Sequence, residues 1–225
     1  MARVILLSVL FAVAMYYIAL WRTKSELARN STPLRDPDLE PVLRRLARAL
    51  DVGRIPVHIY EVMPVNGLAA PDGRVFITRG FYQKFRGGEV TAEELASVIA
   101  HELGHVALGH ARRRMFDFTG ANAVRTGLAL VLGRFVPFIG VWIANLLAQA
   151  LQMALSRGDE YEADEYAAAL LIKAGIGIGP QIGLLAKLDR MSGIAGRPPA
   201  WLASHPETAA RIRAIRAAEA RWLGR

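Results

Sequence analysis

Apolar residues recur along this chain in two periodic patterns and two unbroken runs. Leu39, Val42, Leu43, Leu46 and Leu50 return every three or four positions among arginines, which predicts a basic amphipathic helix over 38–50. Leu95, Val98, Ile99 and Leu103 repeat that spacing and predict a helix over 91–110. Thr91 is its candidate N-cap, and Glu94, three residues on, its capping-box partner. Val57–Tyr60 and Arg74–Thr78 read as short strands, with Pro71-Asp-Gly as a turn signal between them. A Gly-rich break begins at Gly175, a helix runs on to Met191, and a basic amphipathic helix spans Pro206 to Trp222.

The unbroken runs bear on the membrane. Val4 to Trp21 is apolar apart from Ser8, ends in Tyr16, Tyr17 and Trp21, and is followed by Arg22 and Lys24. Its length sits at the short end for a spanning helix, and an aromatic cluster suits the interface. We read residues 1–22 as a transmembrane anchor. A signal peptide cleaved near Ala12-Val-Ala14 is the alternative. Arg22, Lys24 and Arg29 outnumber Arg3 and the amino terminus, which tilts orientation towards a cytoplasmic catalytic domain. The second run, at about 119–155, is divided by Arg134 and Pro137, and Asn145, Gln149 and Gln152 form a polar stripe on its second half. It reads either as further membrane spans or as an apolar helical hairpin packed on protein, so single-pass and multi-pass insertion both stay open.

Composition narrows the chemistry. The chain of 225 residues has room for one catalytic domain, here 23–225, beside a membrane element. With no Cys, disulfides, thiolate catalysis and Cys-type zinc sites are excluded. The formal net charge is +8, but the basic residues are scattered and match no nucleic-acid module. Anionic lipid, not nucleic acid, is the expected partner of that charge.

Residues 101–105 read His-Glu-Leu-Gly-His inside the predicted 91–110 helix. One turn apart, His101 and His105 point the same way and can hold one zinc ion, with Glu102 beside them as general base. A catalytic zinc takes three protein ligands, and one helix supplies two. His110 is one residue off the spacing of an HExxHxxGxxH site, so it reads as a helix-end or supporting histidine. The other source is a later acidic segment, where Glu160 and Asp164 share a helical face and Glu162 points nearly opposite. Zinc on Glu160, with Asp164 bracing an imidazole, would account for two like charges on one face; a solvated acidic helix is the alternative.

Taken together, His101-Glu-Leu-Gly-His-Val-Ala-Leu-Gly-His and Glu160-Tyr-Glu-Ala-Asp resemble the zinc metalloproteases that include HtpX, the Oma-type proteases and the CAAX prenyl endopeptidases. The segment from Val65 to Gly80 and the terminal Ser204-His-Pro-Glu-Thr are similar too, so the likeness covers about 34–220. Gly67 stands where that family often has Ala, which loosens the local strand. The resemblance implies His101, His105 and Glu160 as metal ligands to one Zn²⁺, Glu102 as base and Asp164 as the brace. It also implies that His205 approaches the scissile carbonyl, where an oxyanion needs a donor. Arg211 is a candidate to anchor that segment on an acid that the sequence does not identify.

The expected fold is α+β and mostly helical: a gluzincin-like metallopeptidase core with a small β-sheet and an N-terminal membrane helix. The expected function is a membrane-associated zinc metalloendopeptidase acting on misfolded or membrane proteins, bound partly as an extended strand along Asn66–Ala70. The rival is a membrane-associated chaperone or assembly factor that uses the same cleft for binding with little proteolysis.

Overall fold

The computed structural model describes residues 21–70, 72–110, 113, 139–195, 200–205 and 208–224, with positions 10, 14, 17 and 18. Side chains of 139–155 and 192–195 are outside that description, as is most of the expected 1–22 anchor and the first part of the 119–155 run. Among the described residues, no helix is long and apolar enough to cross a membrane.

Four strands form one sheet: β1 (Ser31–Pro33), β2 (Val57–Tyr60), β3 (Gly67–Ala69) and β4 (Val75–Thr78), in the order β1-β2-β4-β3. β2 and β4 are parallel, and β1 and β3 pair antiparallel on either side. Seven labelled helices accompany them: α1 (Glu40–Ala49), α2 (Arg79–Arg86), α3 (Ala92–Ala107), α4 (Ile139–Lys173), α5 (Gly179–Ala195), α6 (Ala200–Ser204) and α7 (Thr208–Trp222). The chain is thus mostly helical with a small sheet.

Alternation along the strands sorts the sheet's two faces. Val57, Ile59, Val75 and Ile77 point into the main core, with Leu39 just ahead of α1, Val42 and Leu46 of α1, and Leu171, Leu184 and Leu188 of α4 and α5. Phe76 points the other way and meets Leu27, Ala70, Tyr60 and Leu68. Residues 21–29 are helical, so Leu27 brings that turn of helix onto the sheet's outer face.

α3 runs through the middle. Leu95, Ala96, Ser97, Val98, Ile99 and Ala100 are all buried, so the helix is enclosed on every side instead of presenting one apolar stripe. Its start is fixed as the sequence suggests: Thr91 Oγ1 accepts the Glu94 N–H at 3.1 Å, and the Thr91 N–H donates to Glu94 Oε2 at 2.9 Å. Lys187 of α5 adds its ammonium to Glu94 at 2.7 Å. Capping of this kind contributes about 1 kcal/mol and sets the helical phase that aims the later histidines.

α4 is one helix of 35 residues, so the second half of the apolar run and the acidic segment are continuous. It crosses α3 at Gly104, where an added Cβ would lie 3.0 Å from the Ala163 carbonyl oxygen and 3.1 Å from its Cα. Only glycine lets the backbones approach this closely. That contact carries Glu160 and Asp164 up to the histidines.

Candidate metal centre

Four side chains from three parts of the fold converge beside α3. Metal-ligating atoms of His101, His105, Glu160 and His205 all lie within 4.8 Å of one another. His101 Nε2 is 3.1 Å from His105 Nε2 and 3.4 Å from Glu160 Oε2, and His105 Nε2 is 3.5 Å from Glu160 Oε1. A tetrahedral zinc bound at about 2.0–2.1 Å sets donor–donor edges of about 3.3 Å. The His101–His105 separation, and that from each histidine to one of the two Glu160 oxygens (Oε2 for His101, Oε1 for His105), come close to that length. His205 Nδ1 lies 2.6 Å from Glu160 Oε2 and 3.4 Å from His101 Nε2.

Charge makes the same demand. Among the described residues, Glu102, Glu160 and Asp164 are three buried carboxylates facing one buried guanidinium, Arg211. Beyond Arg211 that negative charge calls for a further cation, which either a protonated His101 or a metal ion in place of its proton supplies. The donor set therefore fits a divalent metal, with imidazole and carboxylate ligands of the kind zinc takes.

Asp164 is the hub behind the ligands. Its Oδ1 is 3.0 Å from His101 Nδ1, so the ring's other nitrogen is turned to the cluster. Arg211 grips the same carboxylate with two bonds, Nε to Oδ2 at 2.6 Å and Nη2 to Oδ1 at 2.8 Å. A third donor, Nη1, reaches the His205 carbonyl at 2.9 Å. One buried arginine thus holds both the brace of His101 and the backbone of His205. Burial alone would raise the Asp164 pKa, but the Arg211 guanidinium outweighs it and holds the carboxyl at about 2. Burial would lower the His101 pKa, and the Asp164 and Glu160 carboxylates instead hold it up at about 9. Burial likewise opposes ionisation of Glu160, yet its hydrogen bonds with His101 and His205 keep it far below the usual carboxylate range.

Glu102, next to His101 on α3, is buried, with Trp201 Nε1 3.4 Å from its Oε1 and His205 Nε2 3.7 Å away. Gly67 of β3 lies against it: a Cβ there would be 3.5 Å from Glu102 Cγ and 2.8 Å from Val98 Cγ1. The glycine thus lets the strand close onto the helix, beyond the loosening expected from sequence. Among the described residues β3 ends the sheet, so its outer edge runs beside Glu102.

The 33–219 segment matches the model of Peptidase family M48. The chain belongs to peptidase family M48. Among its M48 relatives, the metalloprotease LoiP of Escherichia coli (strain K12) is 33% identical over 161 residues, 70% of this chain and 60% of LoiP. A protease HtpX homolog of Bordetella petrii is 29% identical, over 88% of this chain and 77% of that protein. The mitochondrial metalloendopeptidase OMA1 of Homo sapiens is 24% identical, over 69% of this chain and 30% of its own length. The M48 chain therefore spans 60% of LoiP and less than a third of OMA1.

All six site residues singled out in the sequence of this M48 member, His101, Glu102, His105, Glu160, Asp164 and His205, meet in one place. Trp201 was not legible there. It belongs to the five-residue α6, and its backbone N–H donates to Val65 O at 2.9 Å, just ahead of β3. Its indole lies 5.0 Å from the Arg211 guanidinium. Gln181, whose Nε2 donates to the Asp164 carbonyl at 3.2 Å, was missed too. Neither has a local sequence signal, because each matters only through contacts made across the fold. His58 stays in β2 with its ring 5.3 Å from Phe76 and is not one of the gathered donors.

Proposed function

We propose that this chain is a zinc metalloendopeptidase that hydrolyses peptide bonds in misfolded or membrane proteins while held at a membrane. The observation that carries the reading is the His101–His105–Glu160 triangle at zinc-like edge lengths with Glu102 adjoining it. Zinc held there would act as a Lewis acid and acidify the attacking water. Glu102 takes the water's proton as it adds to the peptide carbonyl, then passes it to the leaving amine. His205 donates to the developing oxyanion, an interaction that strengthens as charge builds in the transition state. Asp164 and Arg211 keep His101 and His205 in register for these steps.

The sheet edge at β3 supports extended binding of substrate. A peptide laid antiparallel along Gly67–Ala69 gains backbone hydrogen bonds with little demand on its sequence. Relatives that are themselves proteases, metalloprotease LoiP and a beta-barrel assembly-enhancing protease among them, support peptide-bond chemistry on protein substrates. The apolar runs at 4–21 and 119–155 support the membrane location.

Casein cleavage by purified wild type and Glu102→Gln, with bound zinc quantified in both, tests the reading. Equal zinc and proteolysis confined to wild type are expected. Equal zinc with no proteolysis in either would favour a binding protein, and cleavage by Glu102→Gln would remove Glu102 from the mechanism.

A further inference from the structure

His110 is 1% exposed and makes no part of the donor set described above. α3 ends at Ala107, and five residues along a continuous helix would turn position 110 well away from His105. The chain instead reverses at Gly109, whose φ of 67° lies in the left-handed region open to glycine. That turn brings His110 Nδ1 to 2.7 Å from His105 Nδ1. On its far side, His110 Nε2 is 3.2 Å from Glu162 Oε2 and 3.9 Å from Asp159 Oδ1. Arg113 bonds both carboxylates, at 2.8 Å and 3.3 Å, and holds them in place.

These contacts admit one proton arrangement compatible with metal binding. A carboxylate only accepts, so His110 must carry hydrogen on Nε2 to meet Glu162. If His110 Nδ1 also carried hydrogen, His105 Nδ1 would have to accept it, and neutral His105 would aim an N–H at the metal donors. With a lone pair on His110 Nδ1, His105 carries its hydrogen on Nδ1 and turns the Nε2 lone pair to the cluster. We propose that His110 is a positioning residue, which accepts the His105 Nδ1–H, donates to Glu162, and so fixes the tautomer and ring plane of that ligand. The two histidines of the HExxH pair are then held by different means, His101 by the buried carboxylate of Asp164 and His105 by a neutral imidazole with its carboxylate one step further out. This inference rests on the zinc reading above.

The test is zinc affinity of the full chain, by competition with a chromogenic chelator, and the visible spectrum of the Co²⁺ form. His110→Phe keeps a ring but removes both polar ends; His110→Asn restores an acceptor and a donor. His110→Phe is expected to bind zinc about 10–100-fold more weakly with an altered Co²⁺ spectrum, and His110→Asn to stay within about threefold of wild type. Equal affinity for His110→Phe, or no rescue by His110→Asn, would overturn the proposal. Should His110→Phe fail to fold, Glu162→Ala at its half-exposed position carries the test, with about a threefold loss expected and an unchanged affinity overturning it. Wild type that takes up no zinc would sink the zinc reading itself, whereas one tight zinc in both wild type and His110→Phe would sink the relay alone.

Discussion

Replacing Arg211 by Met isolates what the buried guanidinium contributes. Arg211 is 1% exposed and gives Asp164 two bonds at 2.6 Å and 2.8 Å and the His205 carbonyl a third at 2.9 Å. Met fills much of the same volume but leaves Asp164 as a buried anion. Of its described partners, only His101 Nδ1 at 3.0 Å and Gln181 Nε2 at 3.3 Å then remain. Breaking one side of a buried pair costs up to about 3–5 kcal/mol, and here His101, which the carboxylate holds protonated in the metal-free protein, stays beside Asp164 as a partial partner. In a chain of this size a loss of about 3–5 kcal/mol lowers Tm by about 6–20 °C. Arg221→Met is the matched control: its 2.9 Å pair with Glu165 is 64% and 48% exposed, and solvent screening limits such a pair to about 1 kcal/mol or less. Thermal unfolding by circular dichroism, with chelator present so that metal adds nothing, reads both. Asp164→Asn added to Arg211→Met should recover part of the loss, since it removes the stranded charge. Equal shifts for Arg211→Met and Arg221→Met, or an additive double variant, would refute the reasoning.

Two other perturbations follow from the geometry. Gly104→Ala gains about 1 kcal/mol of helix propensity but pushes on the α4 backbone 3.0 Å away, an overpacking worth about 1–3 kcal/mol, so stability should fall by about 0–2 kcal/mol. Zinc affinity should also fall, because Glu160 is carried outward; an unchanged affinity in a zinc titration would contradict this. Asp36 accepts from Tyr82 Oη at 2.6 Å, the Asp38 N–H at 2.9 Å and Arg86 Nη1 at 3.2 Å, and although burial raises its pKa, these partners together lower it below the unfolded value. The stability it contributes is therefore present at neutral pH and lost as pH falls through the folded value. Asp36→Asn should lose about 1–3 kcal/mol at pH 7, with the gap to wild type closing below about pH 4. A gap that fails to narrow as pH falls below about 4 in urea titrations would contradict it.

Much of the site could be read from local pattern because local rules decide it. The capping box fixes where α3 begins, and helical phase then places His101 and His105 together. Glu160 and Asp164 share a face of α4 for the same reason. β2 and β4 fall where apolar β-branched and aromatic residues cluster. What escaped was decided by long-range packing. β1 is three residues, paired to β2 with no periodicity of its own. α2 is eight residues that start directly on β4, with Thr78 as the last strand residue and the N-cap at once. The unity of α4 was hidden because its first half is apolar and its second half acidic. Arg211 was recognisable as an anchor, but its partner lies 47 residues away in sequence. Glu162, expected to point away from Glu160 and Asp164, bonds His110 and Arg113.

The most direct test is anomalous diffraction at the zinc edge from crystals of the full chain grown with zinc. One strong peak is expected about 2.0–2.1 Å from His101 Nε2, His105 Nε2 and a Glu160 carboxylate oxygen, with Glu102 outside bonding distance. Zinc located elsewhere, or no peak inside the His101–His105–Glu160 triangle, would contradict the metallopeptidase reading of this site.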